Sequence, residues 1–357
     1  MSDPARMPDD DLPWLDASGP DAAMVVSTRV RLARNLADRP FWGRNSGEDR
    51  EAVVAALVDA SRTMPALAGA TLVRLDTVAP SVRRWLTERQ LVSRDLAGPA
   101  TGRARSGAAV LLGHSVSTMI NEEDHVRVQA FRSGFALAPT HAVVQQAEHE
   151  LGARVSFAFH PEFGYLTACP TNVGTGLRAS VLIHLPALVL SREIAKVLQS
   201  LAQVGLTSRG LFGEGSDALG HLFQLSNQTT LGRSETDLLE HLERMVRQVM
   251  AYEERARDVL HRDARLTVED RAWRAWAVLR HARALSFEEL VNLLSSVRLG
   301  VAWRVLPDVP LHILNRLLVV AQAAHVAQCA GVSPDAETLP EHRATLVRGM
   351  LEERDRS

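Results

Sequence analysis

The pattern of apolar and polar positions changes character near residue 233. Upstream, several stretches alternate with period two, as half-buried strands do. In Met24 to Leu32, the residues Val26, Thr28, Val30 and Leu32 fall on one face, and Ser27, Arg29 and Arg31 on the other. Ile120 to Gln129 alternates likewise, with Glu123, His125, Arg127 and Gln129 sharing a face. Val155 to His160 and Tyr165 to Ala168, joined by Pro161-Glu162-Phe163-Gly164, read as a hairpin with a four-residue loop. Arg178 to Leu185 is another strand, with Arg178, Ser180, Leu182 and His184 on one side. Helices are expected at Glu51 to Met64 and Ser191 to Val204. The second places Ile194, Val197, Leu198 and Leu201 at helical spacing, with Gly205 where a C-terminal cap falls.

Beyond Gly232 the spacing is helical almost throughout. Ser234 with Asp237, Thr267 with Asp270 and Ser286 with Glu289 resemble capping boxes, the last being the best match. Pro307 and Pro310 precede a last apolar helix, Leu311 to Cys329. The expected architecture is α+β: a sheet domain at 21–255, an all-α domain at 256–357 and a flexible tail at 1–20. A length of 357 residues accords with about two domains.

Composition narrows the chemistry. Forty basic and forty-two acidic residues leave a net charge of −2, so no global basic field draws in nucleic acid. Of the forty, 39 are Arg and one, Lys196, is Lys. No G-K-[ST] phosphate loop can be built from that set, nor a protein-kinase strand lysine. Any phosphate chemistry must run on arginine. Two cysteines, Cys169 and Cys329, are too few for a disulfide framework or a Cys-based zinc site, and no protein metal site is expected. Residues 1–20 lack the apolar core of a signal peptide, and no run approaches the ~18 apolar residues of a membrane span. A cytoplasmic protein is expected.

Arg29, Arg31, Arg127, Arg178 and Arg209 each lie on a strand face or beside Gly-rich sequence. A guanidinium fork suits bidentate phosphate recognition and keeps its charge at physiological pH. Arg29 and Arg31 on one strand face repel each other unless an anion compensates. Glu123 lies among three consecutive acids, Glu122 to Asp124, and Glu214 in Arg209-Gly210-Leu211-Phe212-Gly213-Glu214-Gly215. Gly174-Thr175-Gly176-Leu177-Arg178-Ala179 matches a dinucleotide fingerprint, but a strand follows it where such a fingerprint must open a helix, so that reading is rejected.

These residues resemble the phosphagen (guanidino) kinases, and within them the bacterial protein-arginine kinase, or McsB-type, branch. The stretches that carry the resemblance are Ser27 to Asn35, Asn121 to Arg127, Thr167 to Leu185, Arg209 to Ser216 and Asn227 to Glu235. The resemblance implies an antiparallel sheet flanked by helices that binds Mg-ATP, with magnesium held mainly by the phosphates. It implies an ATP site from Ser27, Thr28, Arg29, Val30, Arg31, Arg127, Arg178, Ala179, Ser180, Val181, Leu182, Arg209, Gly210, Leu211, Phe212, Gly213 and Glu214. Glu123 and Glu214 would hold the acceptor guanidinium, with Cys169 beside it. It further implies protein substrates with exposed arginine, a role in stress response and protein degradation, an activator, a Clp-type protease partner and a homodimer.

Kinases of free arginine or creatine are similar to one another in carrying a helical domain before the S-T-R-V-R strand. Here the helical region follows it, which suits an arginine displayed on another protein. The rival readings are a kinase of a free guanidino metabolite and a non-catalytic phosphoarginine-binding adaptor. Two positions depart from the family pattern. Leu339-Pro340-Glu341-His342-Arg343-Ala344 keeps only the final pair of an R-D-x-x-R-A motif associated with phosphoarginine binding, and Gln90 stands where relatives have a nucleotide-contacting histidine.

Overall fold

A computed structural model describes residues 12–99, 101–210, 219–307 and 309–353 of the chain. In order, the elements are β1 (Val25–Arg34), α1 (Gly47–Ser61), β2 (Thr71–Arg74), α2 (Pro80–Glu88), α3 (Arg94–Ala97), β3 (Ala109–Leu112), β4 (Ser117–Ile120) and β5 (Val126–Ser133). Then come α4 (Leu137–Gly152), β6 (Phe159–His160), β7 (Gly164–Tyr165), β8 (Leu177–His184), α5 (Pro186–Leu190), α6 (Ile194–Gln203), β9 (Leu206–Gly210) and β10 (Leu222–Asn227). The helices α7 (Glu235–Asp263), α8 (Arg265–His281), α9 (Phe287–Ala302), α10 (Leu311–Val320), α11 (Ala323–Ala330) and α12 (Leu339–Glu353) complete the chain.

Eight strands form one antiparallel sheet in the order β2-β3-β4-β5-β1-β8-β10-β9. Its register explains the alternation in the sequence. Val30 and Leu32 face the same way as Val128, Ala130, Ala179 and Val181, and pack against Val53 and Leu57 of α1, Val144 and Leu151 of α4, and Leu242 and Val246 of α7. Thr28 is buried on that side because its hydroxyl donates to Gly134 O (2.7 Å) and accepts from Ala136 N (3.0 Å). Val26 departs from the expected face. A bulge between Val25 and Ser27 turns it to the opposite side.

That opposite side is divided. At one end Val73, Val110 and Met119 pack under Trp85 and Leu86 of α2. At the other, Val26, Leu182 and Leu222 meet Trp276, Leu290, Leu294, Leu314, Leu317 and Val347 of the C-terminal helices. Polar side chains lie between the two clusters, on β1, β5 and β8.

Several expected elements differ in detail. The Ile120–Gln129 strand is broken: residues 121–125 turn between β4 and β5. His125 is buried rather than aligned with Arg127, accepting from Leu36 N at Nδ1 (3.1 Å) and bonded to Pro40 O through Nε2 (3.0 Å). The hairpin pairs Phe159 with Tyr165 and His160 with Gly164, so Gly164 belongs to a strand. Helix α1 starts earlier than expected, because Ser46 and Asp49 form a capping box. Ser234 with Asp237 forms a complete box and Ser286 caps α9, whereas Thr267 lies inside α8. The last apolar helix is two helices, α10 and α11, meeting at 86°. No single helix among the described residues is long and apolar enough to cross a membrane.

Part of the segment expected as a flexible tail is packed. Leu12, Trp14 and Leu15 are buried against Val319, and Trp14 stacks on Phe131 at 5.3 Å. Buried Arg298 of α9 holds the following residues through Ala22 O (2.6 Å) and Asn315 Oδ1 (2.6 Å), while Asn315 donates to Leu15 O. Three apolar side chains and these carbonyl bonds outweigh the polarity of the segment around them.

The helical region also grips the end of β8. Ser295 Oγ of α9 lies 2.8 Å from both His184 Nε2 and His221 Nδ1. Burial holds His184 well below the usual histidine range and His221 at about 4. Both stay neutral in the folded chain, whereas the unfolded chain takes up protons below about pH 6.5. Stability is therefore fully present above that value and is lost as pH falls toward 4. At pH 5 we expect His221 to cost about 1–2 kcal/mol. Denaturation midpoints at pH 7.5 and 5 should differ more for the parent than for His221→Asn; an equal decline in both would refute this origin.

Candidate active site

The polar zone of the sheet is built by register. Arg29 on β1 stands opposite Phe131 on β5 and Ser180 on β8, and Arg31 opposite Gln129 and Arg178. Arg127 pairs with Ala33, Ser180 with Ser226, and Gln224 with both Leu182 and Arg209. All five candidate arginines thus share one face across β5, β1, β8 and β9. Val30, Ala179 and Val181 alternate with them and face the core. Ser27, Ser180 and Leu182 share the arginine side; Leu211, Phe212, Gly213 and Glu214 lie outside the described residues.

Like charges crowd one another here. Arg29 is pulled down to about 10 by burial and then by Arg178, Arg127 and Arg209. Arg31 is held well below the ordinary value by burial and by Arg29, Arg127 and Arg178, and among the described residues Glu122 opposes that shift. The Nε atoms of both Arg29 and Arg31 are buried without a hydrogen-bond partner. A buried donor left in that condition costs about 1–3 kcal/mol. Such a surface is complementary to a polyanion that accepts from several guanidiniums together.

A cavity of about 350 Å³ opens over this face. Arg29, Arg31, Met119, Gln129 and Gln224 form its floor, with Arg84, Thr87, Gln90 and Arg94 from the α2–α3 region and Gln322 from the helical region as walls. Gln90 has a left-handed backbone (φ 59°) and its Oε1 accepts from Arg29 Nη1 at 3.4 Å. Gln129 holds it there by donating to Gln90 O (2.9 Å). The helical region is tied to the same wall. Glu88 accepts from Ala324 N (2.9 Å), His325 N (3.2 Å) and His325 Nδ1 (2.8 Å) at the start of α11.

The acids divide the labour differently from the sequence reading. Glu123 is not on the strand face with Arg127 but in the 121–125 turn, half-exposed, with Oε2 3.5 Å from Arg127 Nη2. The closer partner of Arg127 is buried Glu122. Asp124 is buried, and its carboxylate accepts from Asn35 Nδ2 (2.7 Å) and Ala168 N (2.7 Å) and more weakly from Asn172 Nδ2 (3.4 Å). It thereby bonds the Glu123 turn to the loop that opens with Cys169. Cys169 is partly exposed, with its Sγ 3.0 Å from Thr171 Oγ1. Thr230 Oγ1 holds the rest of this loop through Thr171 O (2.9 Å) and Val173 O (2.7 Å). Gly174 (φ 107°) is obligatory there, since a Cβ would meet Thr230 O at 2.4 Å.

Sequence reasoning missed Glu122, Gln129, Gln224 and Gln322. Gln129 carried a signal, because it alternates in phase with Arg127. Gln322 carried none, since it arrives from another part of the chain. Among the described residues no group of three or more His, Cys, Asp or Glu side chains is placed to hold a metal ion. The donor set instead fits phosphate oxygens, which could themselves hold a cation.

Comparisons with known proteins identify the family. Residues 52–256 match the ATP:guanido phosphotransferase C-terminal catalytic domain, and residues 265–357 the protein-arginine kinase McsB C-terminal domain. A protein-arginine kinase of Symbiobacterium thermophilum is 43% identical over 341 residues, covering 95% of this chain and 96% of the relative. That of Bacillus subtilis is 37% identical over 340 residues, covering 95% and 93%. The duplicated taurocyamine kinase of Schistosoma mansoni shares the fold with a TM-score of 0.60 at 24% identity, over 70% of this chain. The match spans only 35% of that duplicated protein. Lombricine kinase superposes with a TM-score of 0.57 at 23% identity, over 67% of this chain and 70% of its own. With the catalytic-domain match covering more than half of its length and relatives about 40% identical along 95% of it, the chain belongs to the ATP:guanido phosphotransferase family, in its protein-arginine kinase branch.

Proposed function

We propose that this chain is an ATP-dependent protein-arginine kinase, transferring the γ-phosphoryl group of Mg-ATP to a guanidino nitrogen of arginine in protein substrates. The observation that carries this reading is the face of five arginines in which Arg29 and Arg31 bury unpartnered donors. Arg29, Arg31, Arg127, Arg178 and Arg209, with Ser27 and Ser180 on their face and Gly210 to Glu214 following, take the nucleotide. Thr28, Val30, Ala179 and Val181 of the expected set face the core instead, and Leu182 packs against the C-terminal helices. Glu123, Glu214 and Cys169 take the acceptor.

In the reaction the bond from the γ-phosphorus to the bridging oxygen breaks, a phosphorus–nitrogen bond forms, and the guanidinium gives up one proton. An arginine side chain has a pKa above ~12, so at pH 7 fewer than about one in 10⁵ is a neutral nucleophile. That scarcity corresponds to roughly 7 kcal/mol unless the proton leaves during attack. Glu123 fixes the guanidinium in line and accepts that proton. The arginines hold the polyphosphate and offset its charge as it shifts toward the leaving ADP. Magnesium would add positive charge on the phosphate oxygens. The Cys169 side chain lies beside the acceptor and helps to position it.

The division into a catalytic part at 21–255 and a helical part at 256–357 belongs to this reading. So do a cytoplasmic location, a homodimer, an activator, a Clp-type protease partner and a role in stress response and protein degradation, which the similarity to protein-arginine kinases supports. Incubation with Mg-ATP and an unfolded arginine-rich protein should yield acid-labile phosphoarginine, detected by mass spectrometry that preserves N–P bonds. Phosphorylation of free arginine alone would overturn the proposal.

A further inference from the structure

Four large apolar side chains that take no part in the chemistry above stand exposed around the acceptor end: Trp42 (45%), Phe159 (58%), Phe163 (44%) and Leu231 (49%). Single exposed apolar residues are ordinary, but a group gathered round one site marks an interaction surface. Each of these is fastened to an element that carries an acceptor residue. The Arg105 guanidinium lies over the Trp42 ring at 3.7 Å and donates to Asn121 O and Glu122 O (both 2.7 Å), in the turn that bears Glu123.

Phe159 and Phe163 belong to the β6–β7 hairpin, which is riveted to the loop opening with Cys169. Tyr165 N donates to Gly174 O (2.8 Å) and Gly174 N to Tyr165 O (3.2 Å). The approach is so close that a Cβ at Gly164 would come within 2.7 Å of Gly174 O. The Tyr165 ring packs edge-on against Phe159 (5.3 Å) and covers the Arg34 guanidinium (3.5 Å). Phe163 stacks on His160 at 4.8 Å. Leu231 follows Thr230, the residue that bonds the same loop, and its Cα lies 2.8 Å from where a Cβ on Gly174 would stand.

We infer that this apolar rim docks the polypeptide flanking the target arginine, and that the preferred substrate is an extended segment with large apolar residues close to that arginine. The inference rests on the reading of Glu123 and Cys169 as the acceptor end. An extended chain advances about 3.3–3.6 Å per residue, so neighbours about two to four positions from the arginine can reach side chains around the site. Folded proteins bury such neighbours, whereas unfolded chains display them beside the arginine. The rim is held rigid before anything binds, which lowers the ordering cost of docking. It selects for unfolded segments without any base-pair or charge code.

The test uses two fluorescent peptides with one arginine each, flanked by Leu and Phe or by Gly and Ser. The full-length protein should bind the apolar-flanked peptide about tenfold more tightly and phosphorylate it with a correspondingly lower KM at similar kcat. Phe159→Ser combined with Phe163→Ser, and separately Leu231→Ser, should reduce that preference while leaving turnover of the Gly/Ser peptide unchanged. Equal affinity of the parent protein for both peptides, or an undiminished preference in both variants, would overturn the inference. Flank-dependent binding without phosphoryl transfer would instead retain the docking surface and remove the kinase reading.

Discussion

Replacing Arg31 by Met should lower kcat/KM for phosphoryl transfer by roughly 10³-fold while making the ligand-free protein more stable. The two effects have one cause. Arg31 is half-buried next to Arg29, Arg127 and Arg178, Glu122 opposes them among the described residues, and the Arg31 Nε has no partner. Burial and like-charge crowding disfavour its charged form in the folded chain, a cost the unfolded chain does not bear. A methionine of similar reach removes the repulsion and the unmet donor, stabilising the fold by about 1–2 kcal/mol, or roughly 2–5 °C in Tm. Adding ATP should reverse the order, because only the parent protein gains the full binding stabilisation. Thermal denaturation with and without nucleotide, alongside a phosphoarginine assay, checks both halves. A variant that is both inactive and less stable would show that the arginine cluster is not held under electrostatic strain.

Replacing Glu123 by Gln should lower kcat by roughly 10²–10⁴-fold with the KM for ATP changed less than about twofold. Glutamine keeps the shape and a carbonyl acceptor but cannot take the proton that the acceptor guanidinium must lose. The neighbouring acid provides the internal contrast. Glu122 is buried against Arg127, so Glu122→Gln removes the closer of that cation's two carboxylate partners and should cost about 1–3 kcal/mol of stability. Rapid-quench measurement of single turnovers, with urea denaturation of the same samples, separates the two. If Glu122→Gln lost only turnover and Glu123→Gln only stability, the roles proposed for the two acids would have to be exchanged.

Much of the arginine face could be read from period two alone. In β1 Arg29 and Arg31 alternate with Val30 and Leu32, and a buried face leaves no second register for such a strand. The same logic failed at Ile120–Gln129, where the alternation is real but the backbone turns. Asn121 adopts a left-handed conformation (φ 57°), and its Nδ2 reaches Arg50 O and Gly107 O (both 2.9 Å), bonds between segments distant in sequence. Local pattern cannot register a turn stabilised from elsewhere. Hence the sequence pattern puts Glu123 and Arg127 on one face and marks Glu122 only as a member of an acidic run.

By itself, the sequence determined which residues could do the chemistry. An arsenal of 39 arginines and one lysine excludes lysine phosphate loops, and alternation places five of those arginines on sheet faces and loops. The resemblance carried by Ser27 to Asn35 and its companion stretches then pointed to guanidino chemistry. Only the tertiary structure decided how these residues act together. It set Arg29, Arg31, Arg127, Arg178 and Arg209 close enough to disturb one another, and lined the cavity over Arg29 and Arg31 with Gln322 from another part of the chain. It also brought exposed aromatics from the segment after β1 and from the β6–β7 hairpin to the turn of Glu123 and the loop of Cys169. The reason is physical: burial, like-charge repulsion and an unpaired donor are properties of a packed environment, and side chains hundreds of residues apart acquire them only when the chain has folded.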